Sequence, residues 1–486
     1  MNGSVGTRST NDPAVGLPPS AGWLAPGWHA PGWPAPDPEL SRTAVSAADG
    51  AYTQVRSSYM RVGSPRVVFR PTTEEDVQRA VRYAAEVRRV AGEPVPLSVR
   101  SGGHGISGAS TNDGGIVIDL ARMAGIESLD ASASMVRVEA GTTWGELATR
   151  LAPYDRALTS GNVGGTGVGG IATAGGIGYF ARSQGLTLDH VRRVRVVTAD
   201  AAVRWVDAEH DPDLFWALRG GATQAGIGVC FELDVPAIGS ASGGATVLHQ
   251  EVEYLVDDLA GFVRDWGDWI GGAPRAAESF LMLQDAGVGR TVVRAQNVWA
   301  NHDTAAAIPV LEAALNLGPV LHQQARAVPY PHLVPSFGRS HTRQQRLEMR
   351  AALVDRADRE LGEAMAAALR HRATMLGELR ALGAAVSDVP AEATAWAGRH
   401  QEVFAATWIQ PLGQDLADES FRTLQELSTG TYGAYSTDVR AGEAERAWPG
   451  ATGERLRHIA DRVDPGRLFD AGLVLAPRAR DLHKHG

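Results

Sequence analysis

The spacing of apolar residues divides the stretch from residue 67 to residue 235 into short strand and helix segments. Apolar runs over 67–71, 95–99 and 115–120 predict buried strands, and apolar residues that recur every three to four positions over 77–87 predict a helix. Thr73 and Thr143 each open a capping box, which marks a helix start. Further segments of the same kind are strands over 135–139, 191–197 and 229–235 and a helix over 213–219. This succession predicts an α/β domain.

The pattern changes near residue 245, where longer strands alternate with helices. This change favours an α+β unit in which an antiparallel sheet is covered by helices. The predicted strands cover 246–254, 279–283 and 291–298, and the predicted helices cover 256–270, 304–315, 345–382 and 454–463. We therefore divide the chain into an irregular Pro/Gly/Trp-rich arm (1–43), a first domain (44–238), a second domain (239–440) and a C-terminal segment (441–486).

Composition narrows the class of protein. A length of 486 residues favours two domains, and a net charge of −9 argues against a nucleic-acid partner. Cys230 is the single cysteine, so a disulfide framework is excluded. No apolar run approaches the roughly 20 residues of a membrane span, and no signal-peptide pattern opens the chain, so we expect a cytoplasmic protein without a membrane partner. The 14 histidines show no zinc-type pairing with carboxylates, and we expect no metal.

The stretch Arg100-Ser-Gly-Gly-His-Gly-Ile-Ser-Gly108 follows the predicted strand over 95–99. Glycine allows close approach of a backbone to a ligand, and successive backbone N–H groups form a concavity suited to phosphate oxygens. Arg100 adds a fixed positive charge. His104 is available as a nucleophile or proton carrier, because an unperturbed imidazole, with a pKa of about 6.5, is mostly neutral near pH 7. The alternative is a tight turn with a hydrogen-bonded histidine.

A second glycine-rich loop covers 161–170, and a third covers 220–228. The second contains Gly165-x-Gly167-x-x-Gly170, which fits the dinucleotide fingerprint, with Asp189 near the spacing of the ribose acid. That fingerprint needs a strand directly before it and a helix directly after it. The preceding segment 158–161 is short and polar, and the glycines that follow weaken a helix by about 1 kcal/mol each. A nicotinamide Rossmann site is therefore the minor alternative.

Six motifs in this order resemble the FAD-linked oxidases of the berberine-bridge-enzyme-like group, within the vanillyl-alcohol-oxidase superfamily. The motifs are Arg100-Ser-Gly-Gly-His-Gly, Gly114-Gly-Ile-Val-Ile-Asp-Leu, Gly167-Val-Gly-Gly, Gly185-Leu-Thr-Leu-Asp-His, Arg219-Gly-Gly-Ala and Asp464-Pro-x-x-Leu-Phe. The resemblance covers roughly residues 45–480. It implies an α+β fold with a bipartite PCMH-type FAD-binding domain of two α/β subdomains, to which the C-terminal segment returns, and a separate substrate domain.

The resemblance also implies a set of cofactor contacts. His104 would bond covalently to the 8α-methyl carbon of FAD, the first two glycine loops would hold the pyrophosphate and flavin, and residues 226–229 would run along the flavin or adenine. The implied cofactor residues are His104, Arg100, Ser101, Gly102, Gly103, Gly105, Gly161, Val163, Gly164, Gly167, Gly169, Gly170, Asp189, Gly226, Ile227 and Val229.

This chain departs from that family at three places. Val163 stands where many relatives have a cysteine that forms a second covalent link, and Cys230 lies beyond the third loop, so we expect a single link through His104. The motif Tyr435-Ser-Thr437 replaces Tyr-x-Asn, and Gly472-Leu473 replaces an Asn-Gln pair. The last two changes remove polar groups expected near the flavin or substrate.

The resemblance implies hydride transfer from a C–H bond of a small-molecule alcohol or amine, such as a sugar or secondary metabolite, to flavin N5, with O2 as acceptor. Tyr435 is the first candidate for a base or orienting group. A tyrosine has an ordinary pKa near 10, so it needs a nearby positive charge to act as a base. His341 is a second candidate, and His332 is a weaker one. A redox-neutral flavoprotein such as a cyclase, and a structural or binding protein without flavin, remain open, as do a monomer and a homodimer.

Overall fold

The computed structural model describes residues 32–92, 94–238, 245–335 and 346–476. Residues 1–31 of the arm and the candidate His341 therefore lie outside the described residues. In the described part of the chain, no helix combines the length and the apolar character that crossing a membrane requires.

The first layer is a four-stranded sheet with strand order β1-β2-β4-β3. Strands β2, β3 and β4 run parallel, and β1 pairs with β2 in the antiparallel direction. The capping box predicted at Thr73 is present and starts the long helix of this layer. The elements are α1 (Pro38–Arg42), β1 (Ala44–Val45), α2 (Tyr52–Val55), β2 (Val67–Phe69), α3 (Glu74–Ala91), β3 (Leu97–Arg100) and β4 (Ile116–Asp119).

The second layer is an antiparallel five-stranded sheet with strand order β5-β6-β9-β7-β8. Thr143 again forms the predicted capping box, here at the start of α4. The elements are β5 (Ile126–Ser128), β6 (Met135–Glu139), α4 (Trp144–Leu151), α5 (Val168–Ala174), α6 (Ala181–Gln184), β7 (Val191–Val197), β8 (Val203–Val206), α7 (Pro212–Leu218) and β9 (Ile227–Asp234).

A seven-stranded antiparallel sheet with order β13-β10-β12-β11-β15-β16-β14 forms the next unit. One face packs against helices through apolar residues such as Leu281 and Leu379. The opposite face turns towards the first two layers. The elements are β10 (Thr246–Val256), α8 (Leu259–Gly272), β11 (Ala277–Gly287), β12 (Arg290–Trp299), α9 (Thr304–Ala314), β13 (Val320–Pro329), β14 (Glu348–Val354), α10 (Arg359–Arg370), β15 (Thr374–Ala381), β16 (Val403–Ile409) and α11 (Gln414–Leu427).

The chain then returns to the first two layers through α12 (Ala441–Ala447) and α13 (Gly450–Val463). Trp448, Leu456 and Phe469 are buried in the same core cluster as the strands of those layers. The carboxylate of Asp464 accepts the backbone N–H groups of Leu468 and Phe469, both at 2.8 Å, which closes the final turn. The α+β fold class expected from the sequence is confirmed.

The single long helix predicted over 345–382 is wrong. This region forms strand β14, helix α10 and strand β15. Its many alanines, leucines and arginines favour a helix locally, but the two strands pair with β16 and β11, and this tertiary pairing overrides local propensity.

The Rossmann alternative also lacks its structural context. No strand lies among the described residues between α4 and the Gly165-x-Gly167-x-x-Gly170 motif, and the helix that follows ends at Ala174. A dinucleotide fingerprint needs a strand that leads directly into the turn.

Candidate active site

A cavity of about 440 Å³ lies where the first two glycine loops, over 100–108 and 161–170, meet the inner face of the seven-stranded sheet. Its lining includes the loop after β3, the second glycine loop with α5, part of the third glycine loop, side chains from the sheet, and residues 431–435. Tyr59, Trp396 and Trp448 also line it. Of the expected cofactor residues, those on this wall are Ser101, Gly102, Gly103, His104, Gly105, Gly161, Val163, Gly167 and Gly170.

The two glycine loops pack backbone against backbone. A Cβ atom on Gly102 would overlap the backbone of Gly167, and a Cβ on Gly167 would overlap Ser101 and Gly102. The Ser101 hydroxyl donates to the carbonyl of Ala140, which fixes the loop to the end of β6. Only glycine permits this approach, so the backbones of both loops form one continuous surface.

Two observations favour a bound group at this surface. A Cβ atom on Gly170 would project from the cavity wall into open space, with no protein atom within 4 Å. The hydroxyl of Ser110 lines the cavity and is buried, and it has no hydrogen-bond partner in the described part of the chain. A buried polar group without a partner is costly, so it indicates a ligand or water at this place.

His104 lies half-buried on the cavity wall. Its imidazole stacks on the ring of Tyr59, with ring centroids 5.4 Å apart and an angle of 24° between the planes. Offset stacking of this kind holds an aromatic ring in one orientation.

The opposite wall carries a polar cluster from the sheet. Glu378 and Arg380 lie two positions apart on the same face of β15 and form a buried ion pair with an N–O distance of 2.6 Å. Arg380 Nη2 donates to the hydroxyl of Tyr435 at 2.6 Å, and that hydroxyl donates to Glu378 Oε2 at 3.3 Å. Trp408 Nε1 donates to the same carboxylate oxygen at 3.3 Å. This cluster places a carboxylate and a tyrosine hydroxyl at the cavity.

Tyr435 has the nearby cation that a tyrosine base would need, but its pKa is still raised. Burial is the largest cause, Arg380 opposes it, and the negative charge of Glu378 adds to it. Tyr435 therefore carries its proton at neutral pH, which favours the orienting role over that of a base, and its hydroxyl both donates and accepts within the cluster.

Other expected site residues do not line the cavity. Arg100 is buried, and its guanidinium donates to the carbonyls of Val55 and Ser57 at 2.5 and 2.9 Å and pairs with Asp119 at 3.2 Å. Asp189 forms an ion pair with Arg399 at 2.7 Å. Both charges are therefore neutralised inside the protein, and a contact of either residue with the cofactor stays a prediction.

The remaining expected cofactor residues do not line the cavity and instead pack against other parts of the protein. The backbone N–H of Gly169 donates to the carbonyl of Ala140, and Gly164 packs against the backbone at residues 334–335. Ile227 and Val229 belong to the core of the first two layers, and a Cβ on Gly226 would meet Val196. These residues support the loops that line the cavity. His332, the weaker candidate, is exposed outside the cavity wall.

Comparison with known proteins identifies the region that carries His104. Residues 65–207 match a family model described as an FAD binding domain. The FAD binding domain thus includes both glycine loops of the cavity, and FAD is the cofactor that the glycine surface fits.

Two curated relatives illustrate the similarity. The (R)-6-hydroxynicotine oxidase of Paenarthrobacter nicotinovorans is 35% identical over 163 residues, which cover 34% of this chain and 34% of that protein. The FAD-linked oxidoreductase YgaK of Bacillus subtilis is 25% identical over 440 residues, which cover 86% of this chain and 92% of that protein. Four relatives, the nicotine oxidase among them, are 33–37% identical to this chain. Their alignments span only 29%, 35%, 34% and 42% of the relative's own length.

Solved structures extend the similarity to the whole fold. The berberine-bridge-enzyme-like protein 1 of Physcomitrella patens has a TM-score of 0.76 at 20% identity, covering 90% of this chain and 99% of that one. The glucooligosaccharide oxidase of Acremonium strictum has a TM-score of 0.74 at 20% identity, covering 90% and 97%. The chain therefore has the fold of these two proteins. Together with the FAD binding domain match and the curated relatives, this confirms the resemblance stated from the sequence.

The sequence-based reasoning missed Glu378, Arg380 and Trp408, because it placed 345–382 in a helix. The alternation of polar and apolar residues over 378–381 could have indicated a strand with one polar face. Tyr59 lies in a short stretch without regular periodicity, and no local signal separates it from an ordinary loop tyrosine.

Proposed function

We propose that this protein is an FAD-linked oxidase that removes a hydride from a C–H bond of a small-molecule alcohol or amine, with O2 as the electron acceptor. The observation that carries the proposal is the position of His104 on the glycine surface of the FAD domain, across one cavity from the Glu378–Arg380–Tyr435 cluster. The cofactor surface and the proton-handling groups thus share one space.

We propose that FAD is bound covalently through His104 alone. The glucooligosaccharide oxidase of Acremonium strictum carries a 6-S-cysteinyl, 8α-N1-histidyl FAD, which is attached through both a cysteine and a histidine. In the present chain His104 faces the cavity, and Val163 also lines it but offers no thiol. Cys230 is buried in β9, and its thiol pKa is raised by burial to about 12, so it supplies no thiolate.

The cluster on the sheet would handle the proton that leaves the substrate. When bound, FAD supplies a two-electron acceptor for the hydride. The substrate O–H or N–H would donate to the hydroxyl oxygen of Tyr435 while Tyr435 passes its own proton to Glu378 Oε2, along the hydrogen bond already present. Arg380 orients both groups through its bonds to the Tyr435 hydroxyl and to Glu378 Oε1.

Oxidase activity can be tested before the substrate is known. The purified protein is reduced under anaerobic conditions with a chemical reductant, and air is then admitted. We expect reoxidation faster than that of free reduced FAD, with one H2O2 formed per flavin. Slow reoxidation would contradict the assignment of O2 as the acceptor.

A panel of alcohols, oligosaccharides and amines then tests the reaction class. A substrate should bleach the visible flavin absorbance under anaerobic conditions and give H2O2 in air. A compound that is converted with no flavin bleaching and no H2O2 would instead identify a redox-neutral flavoprotein.

A further inference from the structure

Tyr59 contacts the His104 loop at two points. Its ring stacks on the imidazole at a centroid distance of 5.4 Å, and its backbone N–H donates to the carbonyl of Gly103 at 2.7 Å. Tyr59 also lines the cavity, and 36% of its surface is exposed. The ring therefore covers one face of the imidazole on the side of the cavity.

Arg100 holds the loop that carries Tyr59 through hydrogen bonds to its backbone carbonyls. The two carbonyls that Arg100 binds belong to Val55 and Ser57, just before Tyr59 in the chain. Arg100 itself is held by Asp119, which is fully buried at the end of the neighbouring strand β4. A guanidinium with several fixed partners is a rigid connector. The position of Tyr59 is thus set by a buried ion pair in the first sheet.

We propose that Tyr59 is a positioning residue for attachment of the flavin, and that it holds the His104 imidazole in the orientation in which one ring nitrogen meets the 8α-methyl carbon. This inference rests on the proposed covalent link through His104. Arg100 contributes indirectly, because it fixes the loop on which Tyr59 lies.

The step has a definite balance of atoms and electrons. The unprotonated ring nitrogen of His104 would form a bond to the methyl carbon, the other ring nitrogen would lose its proton, and the methyl carbon would lose one hydrogen with its electron pair. Those two electrons pass to O2, which leaves with both hydrogens as H2O2. Bond formation between groups already held in contact depends steeply on their orientation.

The ring of Tyr59, and not its hydroxyl, carries this role. Burial raises the pKa of the Tyr59 hydroxyl, and the negative charge of Glu378 raises it further. The hydroxyl is therefore protonated at neutral pH and offers no base to His104. Phenylalanine at position 59 keeps the stacked ring, whereas leucine removes it.

The test compares three variants with the native protein. Tyr59→Leu removes the stack, Tyr59→Phe keeps it, and Tyr154→Leu removes a tyrosine of similar exposure, 39%, whose ring lies outside the cavity. Each purified protein is supplemented with FAD in air. Intact mass under denaturing conditions then gives the covalently flavinylated fraction over time, and flavin released by denaturation gives the non-covalent fraction.

We expect Tyr59→Leu to hold FAD but to form the covalent bond at least about tenfold more slowly than the native chain. Tyr59→Phe and Tyr154→Leu should couple at the native rate. Native coupling in Tyr59→Leu, or equal slowing in Tyr59→Phe, would overturn the role of the ring while leaving the His104 link intact. A native chain without any covalent flavin would overturn both.

Discussion

Arg399 donates two hydrogen bonds to the carboxylate of Asp189, at 2.7 and 2.8 Å, and joins the seven-stranded sheet unit to the FAD domain. Both side chains are nearly inaccessible to solvent, with 3% and 9% exposed. The same guanidinium donates to Thr394, two residues before Trp396, whose ring lines the cavity. Asp189 therefore stabilises a segment of the cavity wall from behind.

Asp189→Asn should lower the free energy of unfolding by about 3–5 kcal/mol, because it leaves a buried guanidinium without its counter-charge. The flavin content of the folded protein should be unchanged. Asp388→Asn is the matched control, since its ion pair with Arg275 is exposed and should contribute under about 1 kcal/mol. Denaturant unfolding and flavin content measure both effects. Loss of FAD without loss of stability would restore Asp189 as a cofactor residue.

Tyr435→Phe and Glu378→Gln should each slow substrate-dependent flavin reduction by about 10²–10⁴-fold, because each breaks the proton path between substrate and carboxylate. Because its pKa is raised, Tyr435 is not the group that titrates when the rate of flavin reduction changes at alkaline pH. That change should therefore be the same in Tyr435→Phe as in the native protein. Anaerobic stopped-flow reduction measures these rates. A Tyr435→Phe variant that reduces its flavin at the native rate would contradict the relay.

Glu278, fully buried on β11, should make stability depend on pH. Burial raises its pKa from an ordinary 4.5 to about 8, with Arg182 opposing the shift. Because the folded-state pKa is the higher one, this group's contribution to stability is complete below pH 4.5 and is lost as the pH rises through about 8. The free energy of unfolding should fall by on the order of 2–4 kcal/mol between pH 5 and 8.

Glu278→Gln removes the titrating group at similar size, so it should flatten that dependence. Denaturant unfolding of both proteins at a series of pH values measures the two slopes. An unchanged slope in the variant would assign the pH dependence to other groups.

Gly170→Ala should weaken FAD binding by about 1–3 kcal/mol, because Gly170 lines the cavity and the added methyl group narrows the space beside its backbone. The stability of the flavin-free protein should not fall, since no protein atom lies within 4 Å of that methyl position. Gly271→Ala, at an equally open position on α8, is the control and should leave FAD affinity unchanged. Titration of FAD into the His104→Ala background, which excludes covalent attachment, separates the two effects.

Local chemistry in the sequence predicted the longer helices and most strands of the first two layers, but it missed β1, β5, β8 and the helix α5 inside the second glycine loop. The capping boxes at Thr73 and Thr143 fixed helix starts, and the glycine loops indicated backbone packed closely around a ligand. The cofactor and the fold followed from the resemblance carried by the glycine motifs, and both are confirmed. Arg100 and Asp189 lie in buried ion pairs outside the cavity lining, and the sequence did not predict this because a charged side chain near a ligand loop suits either position.

The polar wall of the cavity depends on contacts that no local pattern records. Arg380 and Tyr435 are 55 residues apart in the chain, and Asp189 and Arg399 are 210 apart. Strand β15 presents Glu378 and Arg380 to the cavity only because it pairs between β11 and β16. A single sequence carries no signal for that pairing, and the alanine-rich composition of the region favours a helix.

The covalent bond between His104 and FAD is the central claim, and peptide mapping tests it most directly. The native protein and His104→Ala are loaded with FAD in air, precipitated with acid and digested, and flavin-bearing peptides are identified by mass. We predict that the native pellet stays yellow and that its flavin is found on the peptide containing His104, whereas His104→Ala releases all its flavin into the supernatant. Free flavin from the native chain, or flavin attached to any other residue, would contradict the account.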